Sequence, residues 1–220
     1  MIVFFADEHF RQHPGKVLYE GLPDDLKPRT AFYENGWDVL ESGRWEKDCE
    51  LLILHMIAGT GNQPMPGAGA EAAVKRYCER GGNLLLLHGS SAAFWEWRWW
   101  REIVGFRWVR PGDPDNPDAS CHPHHPCAVK RTKTRHALAA QLTDFELPED
   151  EIYIHLEETA PTMTLMETTI PEGTFPQCAE TVDAWGGKIV SFIPGHLPVC
   201  TENPILRRNV AVLIRYLLHR

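Results

Sequence analysis

The sequence predicts an α/β protein: a mostly parallel sheet with helices on both faces. Three observations carry this. Four short apolar runs, Ile2-Val3-Phe4-Phe5, Leu51-Leu52-Ile53-Leu54, Leu84-Leu85-Leu86-Leu87 and Ile189-Val190-Ser191-Phe192-Ile193, lack the polar alternation of a half-exposed strand and read as strands buried on both sides. Helix-like stretches separate the runs of the first half. With 220 residues and 43% hydrophobic content, the chain can bury a full core, and it reads as one domain over 1–220.

Residues 2–5 form the first strand. Residues 26–36 read as a helix, with Pro28 suited to a first turn and Gly36 to its end. Val39-Leu40 falls in a second strand, and 51–54 is the third. A helix over 69–80 is stopped by Gly81-Gly82, the fourth strand covers 84–87, and 91–104 is the next helix. From 105 to 135 the chain is rich in Pro and Asp and is expected to be a long irregular loop or insertion. Strand-like runs follow at 152–156, 162–168, 178–184 and 189–193. The last helix starts near Asn203, with Pro204 at its first position and Leu206, Val210, Leu213, Ile214 and Leu217 at helical spacing.

Charge and targeting narrow the function classes. A formal net charge of -8 argues against nonspecific nucleic-acid binding, which needs basic surface to displace counterions. The one basic run, Lys130-Arg131-Thr132-Lys133-Thr134-Arg135, places Arg131, Lys133 and Arg135 on one solvated face at strand period. No basic leader precedes the first apolar run, and no apolar stretch approaches the roughly 20 residues of a membrane helix. Six cysteines, at 49, 78, 121, 127, 178 and 200, form no Cys-x-x-Cys pair and read as reduced thiols, so a cytoplasmic location is expected.

Histidines mark the strand ends. Residues 2–5 lead to His9, 51–54 to His55, 84–87 to His88, and 189–193 through Pro194-Gly195 to His196. In an open α/β sheet, ligands bind at the carboxyl ends of the strands, so parallel strands would bring these histidines to one rim. Any one of them alone reads first as a packed, hydrogen-bonded core histidine; the set, and His88 in particular, reads as a site. His88, followed by Gly89-Ser90 and a predicted helix, has the layout of a nucleophile elbow with a helix N-terminus behind it. A histidine at that tip suits proton transfer or metal ligation.

Gly81-Gly82-x-Leu-x-x-Leu-His88 resembles the core motif of the trehalose-utilisation (ThuA-like) family, in the class I glutamine amidotransferase-like superfamily. Arg135-His136-Ala137-Leu138, Glu149-Asp150-Glu151-Ile152-Tyr153 and the segment from Gly187 to His196 resemble further family segments, in order. The resemblance implies a flavodoxin-like doubly wound fold and a role in sugar metabolism. Ala137 departs from the family's proline, and the stretch near 110–127 is peculiar to this chain. True glutamine amidotransferases carry a cysteine at the elbow; position 88 is His and its neighbours are not Cys, so glutaminase activity is not expected.

On this basis the candidate catalytic residues are His88, Glu151 and His196, and the candidate substrate-binding residues are His9, His55, His136 and Tyr153. Tyr153 would share a strand face with Glu151, which otherwise reads, with Asp150, as a solvated loop acid. Two chemistries stay open for the His–His–Glu set. It can act as acid and base, or it can hold a divalent metal such as zinc with a position left for substrate. The run Cys121-His122-Pro123-His124-His125-Pro126-Cys127 is rich in ligand types but matches no common zinc module. Trp95, Trp97, Trp99 and Trp100 read first as core or interface, and Gly59-Thr60-Gly61 as a mobile loop.

The expected function is that of a sugar-metabolism enzyme acting on a sugar, keto-sugar or glycoside derivative. Its expected partners are a small-molecule carbohydrate and further copies of itself in a homo-oligomer, with no nucleic acid and no membrane. The alternatives are a non-catalytic sugar- or partner-binding domain of the same fold, and a metal-dependent hydrolase.

Overall fold

A computed structural model describes residues 1–8 and 11–219. In chain order the elements are β1 (Ile2–Ala6), α1 (Pro14–Glu20), β2 (Thr30–Glu34), α2 (Trp37–Ser42), β3 (Leu51–His55), α3 (Ala68–Glu79), β4 (Asn83–Leu87), α4 (Arg98–Ile103), β5 (Phe106–Arg107), β6 (His124–Arg131), β7 (Phe145–Glu151), β8 (Glu157–Glu158), β9 (Thr162–Ile170), β10 (Gly173–Val182), β11 (Lys188–Phe192), α5 (Pro198–Thr201) and α6 (Pro204–Leu218).

Nine strands form one sheet in the order β2-β1-β3-β4-β11-β10-β9-β6-β7, and β5 pairs with β8 in a separate two-stranded ribbon. The first five run parallel, with β1 between β2 and β3, which is the doubly wound, flavodoxin-like order. Beyond β11 the pairings are antiparallel, so β10 and β6 oppose the common direction while β9 and β7 restore it.

The parallel strands carry apolar residues on both faces because both are covered. Ile2, Phe4, Leu51, Ile53, Leu85, Leu87, Val190 and Phe192 pack with α1 and α6. Val3, Phe5, Leu52, Leu54, Leu84, Leu86 and Ile189 pack with α2, α3 and α4. Each such leucine contributes about 1.5–3 kcal/mol by leaving water. Gly15 lets α1 approach the sheet, since a Cβ there would meet the Ala6 Cβ at 2.4 Å. Asn203 caps α6 by accepting from the N–H groups of Ile205 and Leu206, just before Pro204.

Several expectations are corrected. Residues 26–36 are not a helix: Pro28 sits in a 3-10 turn, Lys27–Arg29, that delivers the chain into β2. Val39 and Leu40 lie in α2, where Leu40 is the one residue buried, too sparse a signal to show a helical face. The helix expected over 91–104 shrinks to α4, because Phe94 (φ 54°) turns the chain and Trp97 and Trp100 enter the core separately. The stretch 105–135 is not wholly irregular, since it contains β5 and β6. In β6 the inward residues, Cys127 and Val129, are so few that the surrounding prolines and charges mask the alternation.

Candidate active site

The site is built on the turn after β4. His88 has φ 44°, in the left-handed region, at a cost of about 1 kcal/mol or more for a residue with a Cβ. It opens a 3-10 turn, His88–Ser91, pinned by Ser90: its Oγ lies 2.9 Å from the carbonyls of Leu54 and of Leu87. This is the elbow anticipated from the sequence, but α4 starts only at Arg98, so no helix N-terminus backs it.

His88 is buried and its ring is fixed from both ends. Its Nδ1 lies 2.8 Å from the Ile193 carbonyl, which can only accept, so Nδ1 carries a hydrogen. Its Nε2 faces His196 Nδ1 at 3.0 Å, the Tyr153 hydroxyl at 3.1 Å and Glu151 Oε2 at 3.5 Å. Glu151 Oε2 is in turn 3.3 Å from His196 Nδ1.

Electrostatics match this geometry. Burial opposes a charged His88, but the hydrogen bond to Glu151 and the charges of Asp150 and Glu151 outweigh it and raise its pKa. Burial also pushes Glu151 up, yet His88, His196 and His122 hold its carboxyl down at about 2. The set therefore favours a carboxylate beside a proton-bearing imidazole. Burial pushes the Tyr153 hydroxyl well above its ordinary range, which keeps it protonated.

Asp150 clamps the two halves of the site. It is buried and accepts from the N–H groups of Gly195 at 2.7 Å, His196 at 3.0 Å and Glu151 at 3.0 Å. Gly195 has φ 119°, which a side chain rarely tolerates. The end of β7 is thereby tied to the loop after β11. Asp7, buried at the end of β1, accepts from the Ile57 N–H at 2.6 Å and fixes the loop after β3. The sequence reading missed both roles. Asp150 carries no local signal, because Gly195 lies 45 residues away in sequence; for Asp7 the signal was an acid closing an apolar run.

A further pair of histidines enters from across the ladder. His124 is the direct antiparallel partner of Glu151, and Cys121 bridges Ile154 in the same register. Alternation then puts His122 and His124 on the face of Glu151 and Tyr153. Glu151 Oε1 lies 3.2 Å from His122 Nδ1 and 3.5 Å from His124 Nε2. The Cys/His run therefore divides. His125 turns to Glu172 at 3.1 Å, Cys121 is exposed, and burial pushes the Cys127 thiol up to about 12.

These groups open on a cavity of about 250 Å³. Ile57, Ala92 and Trp108 supply apolar wall, and Thr60, His122, Glu151, Tyr153 and His196 the polar wall. His88 stands behind them. Its buried neighbour His55 has a ring centroid 6.1 Å from that of His88 and does not line the cavity. His136 is not brought to this rim: it sits 3.7 Å from Glu180 and against Tyr216 on α6. His9 lies outside the described residues. Among the described residues, two groups have ligand atoms close enough to share a metal ion: His88, Glu151 and His196, and His122, His124 and Glu151.

A doubly wound sheet with a histidine elbow over its carboxyl edge is consistent with the glutamine amidotransferase-like superfamily, with histidine and not cysteine at position 88. The family described as trehalose utilisation (ThuA) matches residues 47–217, and the chain belongs to it. Its fold is similar to that of a ThuA-like protein from Parabacteroides merdae, at 16% identity and a TM-score of 0.75, covering 99% of this chain and 90% of that one. A ThuA-like protein from Bacteroides uniformis is similar at 13% identity and a TM-score of 0.68, over 98% and 91% of the two chains. A β-galactosidase from Rahnella sp. R3 shares the fold at 10% identity and a TM-score of 0.51, over 97% of this chain and 31% of that one. No curated protein matches the sequence. The family sets the context as sugar metabolism. Among the described residues, no helix is long and apolar enough to cross a membrane.

Proposed function

We propose that the protein is an enzyme acting on a sugar or keto-sugar derivative by proton transfer beside a carbonyl. The observation that carries this is the convergence of His196, Glu151 and Tyr153 on one cavity wall, with His88 locked behind them. His196 exchanges the proton with the substrate carbon. Glu151 Oε2, 3.3 Å from His196 Nδ1, stabilises the imidazolium that forms. His88, 3.0 Å away, is a second proton site, oriented through Ile193, and acts as a positioning and relay residue. The neutral Tyr153 hydroxyl donates to the developing oxyanion. Trp108 and the other apolar wall residues suit the face of a sugar ring. The free, mostly buried thiols fit a reducing, cytoplasmic compartment.

The test is turnover on a panel of keto-glucosides and keto-disaccharides. His196→Ala and Glu151→Gln should each lose about 10²–10⁴-fold in kcat/KM while melting near wild type. Retained turnover in both variants would sink the proposal. A wild type that gains thermal stability with these sugars but never turns them over would instead be a binding domain.

A further inference from the structure

The two oxygens of Glu151 serve different neighbours. Oε2 belongs to the buried His88–His196 pair, and Oε1 faces His122 and His124. We infer that Oε1, His122 Nδ1 and His124 Nε2 form a binding site for a divalent transition-metal cation at the mouth of the cavity.

The donor set fits. Two imidazoles and one carboxylate with an open position suit zinc-like cations, which take N and O ligands. The placement is built into the ladder rather than left to flexible side chains. His122 and His124 stand two residues apart on one strand face, Pro123 stiffens the link between them, and Glu151 is the cross-strand partner of His124. The carbonyl of Pro123 also accepts from the Ile152 N–H at 2.9 Å, so the register holds up to His122. The ligand atoms of this group lie within 4.8 Å of one another, close enough to draw in round one ion. His124 Nδ1 lies 3.3 Å from Glu149 Oε1, an outer carboxylate of the kind that orients a ligating imidazole.

The outer group is favoured over the inner one by access. His122 and His124 are exposed, and His122 and Glu151 line the cavity, so solvent or substrate oxygens can complete the coordination. In the inner group His88 Nε2 already faces the Tyr153 hydroxyl and His196 Nδ1. A cation at Oε1 would sit beside the proton-transfer groups and take adjacent oxygens of the substrate, a carbonyl and its neighbouring hydroxyl. That last step rests on the carbohydrate reading above; the cation site does not.

The experiment is equilibrium dialysis of tag-free protein against zinc, without any sugar, alongside His122→Ala/His124→Ala and His88→Ala. One zinc per chain is expected for wild type and for His88→Ala. In the double variant affinity should fall by more than the roughly 10–100-fold that losing an outer-shell partner costs. Cobalt substitution of wild type should give visible absorption bands that the double variant lacks. Equal binding in wild type and the double variant overturns the inference, as does no binding in wild type. Zinc lost in His88→Ala and kept in the double variant also overturns it, by moving the cation to the inner group. Both changed histidines are exposed, so the double variant should fold, and its thermal melt checks this. Because no substrate is present, the result stands apart from failure of the sugar assay.

Discussion

His88 adopts a left-handed backbone that costs a residue with a Cβ about 1 kcal/mol or more, and its surroundings hold it there. The hold comes from Ser90, from the Ile193 carbonyl and from the apolar strand that ends at Leu87. Its environment depends most on Asp150, which holds three backbone N–H groups at once. Asp150→Ala leaves those donors buried without that acceptor and should destabilise the protein by about 2–4 kcal/mol in urea melts. Unchanged stability would mean the clamp is replaceable. Tyr153→Phe removes only the hydroxyl that faces His88. It should lower turnover about 10–100-fold, in the range for loss of one oxyanion donor or somewhat below, with KM little changed. Equal kcat in Tyr153→Phe would remove Tyr153 from the reaction. At this scale the elbow and its histidine were legible, because a buried run that stops at His-Gly-Ser has few readings. Asp150 was not, because an acid in a Pro- and acid-rich stretch looks solvated until its register against Gly195 is known.

At the scale of elements, the segment from β5 to the start of the His122 arm is held by an ion-pair cluster. Arg107 pairs with Asp113 at 2.6 Å and also with Glu157, joining this segment to β8. The Arg107 guanidinium beside Asp113 holds its carboxyl down at about 2. A carboxylate with a lowered pKa adds stability that is fully present above its ordinary value of 3.8 and lost as pH falls through about 2. Amide protection factors across 106–120 should therefore fall between about pH 4 and pH 2, ahead of those of the core strands. Protection that fades uniformly with the core would contradict this. Ser90→Ala would remove the side-chain hydrogen bonding that holds the turn after β4 to the ends of β3 and β4 and should cost about 1–2 kcal/mol in urea melts. The buried strands were readable from composition alone, and so was α6, with Asn203-Pro204 at its start and a regular apolar stripe. β2 was not: it is an edge strand, half-exposed over most of its length, and Pro28 before it mimics a helix start. The His122-x-His124 arm was visible only as a dense run of ligand types. The face its histidines share with Glu151 is a matter of pairing between residues 27 positions apart, which no local pattern contains.

For the whole molecule, the doubly wound half and the antiparallel half contribute different parts of one site. The parallel strands supply the elbow and, after β11, His196; the antiparallel arm supplies Glu151, Tyr153 and the two outer histidines. The fold class and the meeting of His88 with His196 follow from rules about parallel strands and where they end. The sheet's antiparallel extension has no such rule, so His136 was expected at the rim and lies instead with Glu180 and Tyr216. Membership of the trehalose-utilisation family fixes the metabolic setting. The chemistry within that setting rests on the His196–Glu151–Tyr153 wall. Its most direct test is solvent exchange: keto-sugars incubated with the protein in deuterium oxide, followed by proton NMR at the carbons flanking the carbonyl. Those C–H signals should be lost with wild type and, with His196→Ala, at a rate lower by about 10²-fold or more. No exchange by wild type across the panel, or equal exchange by the variant, would contradict this chemistry.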